Sequence, residues 1–157
     1  MPLYPGALQL IRQNLEELAL GNKVRSIAIG TLTERQLGGI NQARQHRANP
    51  LPVIIAEVLF IGQHVFNSRV VRDGYTIEDV IDQIESAMQA SADFIPTSRA
   101  AAIQNHTRRL DRYGNYVRDM AIFECTSRHP RPELFSVMPK GDKPPKAYMS
   151  QNTKGRT

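Results

Sequence analysis

Apolar residues recur at spacings of three and four between Leu8 and Leu20, where Leu8, Ile11, Leu15, Leu18 and Ala19 fall on one helical face. Gly21-Asn22 supplies the stop, because glycine accepts the left-handed conformation that ends a helix. Val24 to Ile29 reads as a short strand. Thr33 and Gln36 have the spacing of a capping box and predict a second helix to about Arg47. Gly38-Gly39 weakens that helix by ~1 kcal/mol per glycine, and the prolines of Ala48-Asn49-Pro50-Leu51-Pro52 break it. Val53 to Ile61 is β-branched, bounded by proline and Gly62, and predicts a strand. Gln63 to Arg72 reads as a short helix that shares Val65, Phe66 and Val70 on one face and leaves His64, Arg69 and Arg72 off it. Asp73-Gly74 is a turn. The clearest element runs from Tyr75 to Gln89, with Thr76 and Asp79 as its cap and Ile77, Val80, Ile81, Ile84 and Met88 as its apolar stripe.

The second half is written in strands. Ala90 to Thr97 is a linker or strand entry, Arg99 to Gln104 a strand, and His106 to Asn115 a polar loop rich in arginine. Tyr116 to Thr126 predicts a strand, Ser127 to Pro132 a turn, and Glu133 to Met138 a last strand closed by Pro139-Lys140-Gly141. Asp142 to Thr157 lacks hydrophobic periodicity and reads as a flexible basic tail. This order predicts an α+β fold, with N-terminal helices packed on one face of a mostly antiparallel sheet of about four strands. Residues 1–141 form one domain, with a helical part at 1–50 and a sheet core at 51–141.

Composition fits one globular domain: 157 residues, 41% of them apolar. The longest apolar run, Pro52 to Ile61, contains Glu57 and is far shorter than the ~20 residues that span a bilayer. The first residues show no signal-peptide pattern, and the one cysteine, Cys125, has no partner for an internal disulfide. Cys125 falls mid-strand, where it reads as a small buried hydrophobe. A cytoplasmic protein with no membrane association is expected. Charge sharpens the picture. Residues 1–98 carry 8 Lys/Arg against 10 Asp/Glu, 99–131 carry 7 arginines against 3 acids, and 139–157 carry 5 Lys/Arg against Asp142 alone. All the positive excess lies in the C-terminal half, which points to an anionic partner, nucleic acid first.

Candidate chemistry is confined to two places. The four histidines lie far apart and no His-x-x-x-His or Cys-x-x-Cys pair exists, so no metal site is expected. No phosphate-binding glycine loop or nucleophile elbow is present, and no cofactor is expected. In Gly62-Gln63-His64-Val65-Phe66-Asn67-Ser68-Arg69-Val70-Val71-Arg72, a strand gives way to a helix at His64, with Arg69 and Arg72 three apart and able to share a face. A histidine titrating near neutrality beside guanidinium groups is what metal-free RNA cleavage needs. The alternative is a surface histidine with arginines paired to Asp73 or Glu78. On the last strands, alternation lets Arg118, Glu124 and Thr126 share a side, with Arg128, His129, Ser136 and Lys140 nearby. Glu124 is a candidate base, and Lys140 and Arg118 are candidate phosphate partners. The plainer reading there is a solvated sheet face with cross-strand charge pairs.

The order of elements and the His64, Arg69, Arg72 helix resemble the barnase–EndoU–colicin–RelE superfamily of metal-independent ribonucleases, in particular its small prophage, mobile-element and toxin-type members. The similar region is about Val53 to Gly141. It includes Val58-Leu59-Phe60-Ile61-Gly62-Gln63-His64, Asp73-Gly74-Tyr75-Thr76-Ile77-Glu78-Asp79 and Leu134-Phe135-Ser136-Val137-Met138-Pro139-Lys140-Gly141. A second histidine found on the same helix in some branches is replaced here by Ser68-Arg69. The resemblance implies RNA cleavage on the sheet face. From the family, His64 and one arginine carry over, with Ser136 or Lys140 behind them. Taken with the strand and charge readings above, the candidate site comprises His64, Arg69, Glu124 and Lys140 as catalytic residues and Arg72, Arg108, Arg109, Arg118 and Ser136 as phosphate contacts. The implied partners are RNA, including tRNA, and a cognate inhibitor or host protein. The competing reading is a non-enzymatic nucleic-acid- or protein-binding accessory factor of a prophage or mobile element. The low aromatic content, 6% with no tryptophan, speaks against a base-stacking platform.

Overall fold

A computed structural model of the protein describes residues 3–46, 48–89, 93–96, 102–124 and 131–140. The predicted caps form as their spacing requires. Helix α1 (Ala7–Ala19) ends with Gly21 at φ +83°. The Asn22 N–H donates to the Glu17 carbonyl at 2.9 Å and the Gly21 N–H to Leu18 at 3.0 Å, the paired bonds of a Schellman motif. Helix α2 (Glu34–Gln45) starts on Thr33, whose hydroxyl accepts from the Gln36 N–H while the Gln36 side chain accepts from the Thr33 N–H. Helix α4 (Ile77–Ala87) repeats the device with Thr76 and Asp79, both bonds at 3.0 Å. Between them, α3 (Gln63–Val65) runs directly into a π-helical stretch, Phe66–Arg72.

The strands are β1 (Ile27–Thr31), β2 (Glu57–Phe60), β3 (Asp93–Pro96), β4 (Ala102–Leu110), β5 (Tyr116–Glu124) and β6 (Glu133–Lys140), in the sheet order β1-β2-β6-β5-β4-β3. The fold is α+β as expected. The sheet has six strands rather than about four, and β2 and β6 run parallel while every other pair is antiparallel. Helices α1 and α4 pack on each other, α1 against β1 and α4 across β4, β5 and β6. Helix α2, which follows one edge strand, touches the opposite edge strand β3, so the sheet curls. The core joins Ile11 and Leu15 of α1, Ile29 of β1, Val58 and Phe60 of β2, Val80 and Ile84 of α4, Phe123 of β5, and Leu134 and Val137 of β6.

Several boundaries differ from expectation, β1 among them, at Ile27–Thr31 rather than Val24–Ile29. The predicted loop at His106–Asn115 is strand as far as Leu110, and only 111–115 turns the chain. The helix-side positions there are polar: Thr107 meets Ser86 of α4 at 2.6 Å and Arg109 meets Asp119 of β5, so hydrophobic alternation never shows. Strand β2 is four residues long, not nine. Ile54 satisfies its backbone on the side chain of Asn41, donating its N–H at 2.7 Å and accepting at its carbonyl at 3.3 Å, instead of on a neighbouring strand. Strand β6 continues through Pro139 and Lys140. Cys125, Arg128, His129 and the 142–157 tail lie outside the described residues. Among the described residues no helix is long and apolar enough to cross a membrane.

Candidate functional site

His64 sits where β2 hands over to α3, at the mouth of an open groove of 410 Å³ lined by Ile61, Gln63, Asn67, Glu133, Leu134 and Phe135. The imidazole is exposed but held. Its ring stacks on Phe135 with centroids 4.3 Å apart and planes 15° apart, and its Nε2 lies 3.5 Å from the Ser68 hydroxyl one turn on. Phe135 reaches that position through a β-bulge. Ile122 pairs with Ser136 and Phe123 with Leu134, which leaves Phe135 as the extra residue of β6. Glu133 lines the groove, and Glu124, half-buried like it, pairs with it in register on β5. Ser136, expected to contact phosphate, is buried in the bulge.

The arginines of the first candidate group do not share the groove with His64. Arg69 turns inward and is only 5% exposed, with its guanidinium 3.2 Å from the Asp73 carboxylate. Burial lowers its pKa, and Asp73 offsets part of the shift. Arg72 stays outside, 2.9 Å from the same Asp73, and that hydrogen bond raises its pKa. The i,i+3 alignment expected of an α-helix is lost because the wider π-helical turn, bonding i to i+5, takes residues three apart to different sides.

The arginines of the β4–β5 hairpin divide by strand parity. Arg109 faces α4 and pairs at 2.5 Å with Asp119, which is fully buried. Burial pushes the Asp119 carboxyl up and Arg109 only partly draws it back. Burial also pulls Arg109 down, but the bond and charge of Asp119 outweigh it and hold the guanidinium above its ordinary pKa. Arg112 reaches Asp82 at 2.7 Å, and the Tyr113 hydroxyl donates to Asp79 at 3.2 Å, so the hairpin turn is clamped to α4. Arg108 and Arg118 face the other way, directly opposite each other, and Arg118 in turn is opposite Lys140. Among the described residues neither arginine meets a carboxylate, and the buried Nε of Arg118 has no hydrogen-bond partner.

Two surfaces result. The His64 groove lies at the β6 start with Glu124 and Glu133. The row of Arg108, Arg118 and Lys140 lies at the β6 end, roughly 20 Å away by strand rise. Met120 sits between them and is buried. Sequence reasoning missed Glu133, Asn67 and Phe135, for which no local signal exists. It also missed Tyr116, for which one does: Tyr116 lies two residues before Arg118 on the same strand face. Among the described residues no group of three or more His, Cys, Asp or Glu side chains is placed to hold a metal ion. No family model, curated protein or solved structure matches the chain.

Proposed function

We propose that the protein is a metal-independent endoribonuclease acting at the His64 groove. The observation that carries the reading is an exposed histidine, immobilised by stacking on Phe135, at the mouth of a groove that also holds a carboxylate. A fixed imidazole suits proton transfer at a ribose. His64 takes the 2′-hydroxyl proton, the oxygen attacks the adjacent phosphorus, and the bond to the 5′-oxygen breaks. The products are a 2′,3′-cyclic phosphate and a 5′-hydroxyl. Glu133 or Glu124, when protonated, supplies the proton to the leaving oxygen. The side-chain amides of Gln63 and Asn67 donate to the phosphorane oxygens. On this reading the substrate is tRNA or another RNA and the site of action is the cytoplasm. The resemblance to small toxin-type ribonucleases of mobile elements supports a cognate inhibitor or host protein as a further partner.

A second reading, nucleic-acid binding without cleavage by an accessory factor, is favoured by one observation: Arg108, Arg118 and Lys140 lie at the other end of β6 from His64. One experiment decides between the two. Wild type and His64→Ala are incubated with tRNA and total RNA in EDTA. Cleavage by wild type that the variant loses, with unchanged circular dichroism, supports catalysis. Intact RNA in both samples ends the catalytic reading.

A further inference from the structure

We infer that the hairpin end of the sheet face turned away from α4 is a second, separate binding site, and that its ligand is single-stranded nucleic acid. The inference deepens the RNA-directed reading above but uses different residues from the His64 groove.

The argument begins with a cost. Like charges placed directly opposite each other on neighbouring strands destabilise a sheet. Arg108, Arg118 and Lys140 occupy three successive cross-strand positions on β4, β5 and β6. The arginines next to the row are matched by acids, Arg109 by Asp119 of β5 and Arg112 by Asp82 of α4. The row is therefore cationic in a domain that neutralises the adjacent arginines. Among the described residues the buried Arg118 Nε has no acceptor, so no hydrogen bond within the described fold holds that atom.

The next cross-strand pair outward on this face is Leu110 opposite Tyr116. These side chains are 67% and 51% exposed, an apolar and aromatic ledge beside the cations. Arg112 and Tyr113 clamp the turn to α4 and so hold the ledge in place. A row of cations spaced at the ~4.8 Å strand interval recognises phosphates. An exposed aromatic beside it recognises the face of a base. An acidic peptide would use the first feature and not the second. A duplex would use the first and keep its bases out of reach of Tyr116. A single strand uses both.

The test is fluorescence anisotropy with a labelled single-stranded 2′-O-methyl oligoribonucleotide, which lacks the attacking hydroxyl and separates binding from cleavage. The full chain is compared with Arg108→Gln, Arg108→Gln/Arg118→Gln and Tyr116→Ala over a salt series in EDTA. The exposed Arg108→Gln and Tyr116→Ala changes keep the test open if the double variant fails to fold. Loss of two phosphate contacts should lower the slope of log K against log salt by about 1.4. Tyr116→Ala should weaken binding about tenfold. The inference is overturned by unchanged affinity and slope in the hairpin variants, by tighter binding of the matching duplex, or by poly-glutamate displacing the probe as well as an unlabelled single strand does. Failure of the ribonuclease reading looks different: RNA stays intact while these binding effects persist. Conversely, His64-dependent cleavage together with unchanged probe binding in the hairpin variants removes this site and leaves that reading standing.

Discussion

Replacing Arg109 by methionine should be among the most damaging single changes in the fold, and its cost should depend on pH. The Asp119 carboxylate has no solvent exposure and its basic partner is Arg109, at 2.5 Å. Methionine keeps much of the aliphatic packing and removes the charge, leaving an uncompensated anion between β5 and α4. Breaking a buried pair from one side costs about 3–5 kcal/mol. Against a total stability of about 5–15 kcal/mol, that is a large fraction. The sign of the pH effect follows from the direction of the Asp119 shift. Burial raises its pKa above the ordinary 3.8 even with Arg109 present, and the bond and charge of Arg109, followed by the Ser86 hydroxyl, limit the rise. Without Arg109 the folded pKa climbs further. In the window between the unfolded and folded values the native state holds the proton more tightly, so stability is greatest below the unfolded value and is lost as pH rises through the folded one. Urea denaturation of Arg109→Met at neutral pH and at about pH 4 should show the deficit at neutrality and its partial relief in acid. Arg109→Met/Asp119→Leu should recover most of the loss, since a well-packed apolar pair often replaces a buried ion pair without penalty. A deficit under ~1 kcal/mol at neutral pH, or one that does not change with pH, would refute the account of Asp119 as an interior charge held by Arg109.

Three further outcomes follow from particular contacts. Gly62→Ala should destabilise the fold by about 1–3 kcal/mol, because the new Cβ would collide with Asn14 Oδ1 and meet Phe60 at 3.1 Å; thermal melting checks it, and Asn14→Ala in the same chain should recover part of the loss. Arg108→Glu should stabilise the hairpin by a few tenths of a kcal/mol, turning a like-charge pair with Arg118 into an ion pair, while weakening oligonucleotide binding; denaturation and anisotropy measured together test the opposite signs. Thr76→Ala should cost about 1 kcal/mol and lower the melting temperature by roughly 3 °C, as a lost N-cap at the head of α4.

The parts of the fold that the sequence displayed are those decided within a few residues. Both capping boxes, the Gly21 terminus and the stripe of α4 are local, so spacing alone located them. The parts it concealed depend on distant partners. Nothing near Glu57 announces that Leu59 will lie beside Glu133 in a parallel pair, and nothing in Val53-Ile54-Ile55 announces that Asn41 will take the backbone bonds of Ile54. The second part of strand β4, beyond the predicted Arg99–Gln104 segment, was concealed for a different reason. Its α4-facing positions answer polar groups with polar groups, so the usual mark of a half-buried strand is missing.

The same distinction governs the candidate sites. Charge counting placed an excess of arginine between residues 99 and 131, and the count is right, but it cannot assign each arginine to a face. Arg108 and Arg109 are neighbours in sequence and of one residue type. Strand alternation sends Arg109 under α4 to hold Asp119 and sends Arg108 into the cation row. Arg131 is 3.3 Å from Glu57 and Arg112 is spent on Asp82, so among the described arginines of this stretch only Arg108 and Arg118 remain without a carboxylate. At the other site, Arg69 and Arg72 separate because a π-helical turn replaces the α-helical one their spacing assumed. Residue type therefore identified the surfaces worth searching, and the parity of one strand and the pitch of one helical turn decided which guanidinium groups a ligand can reach.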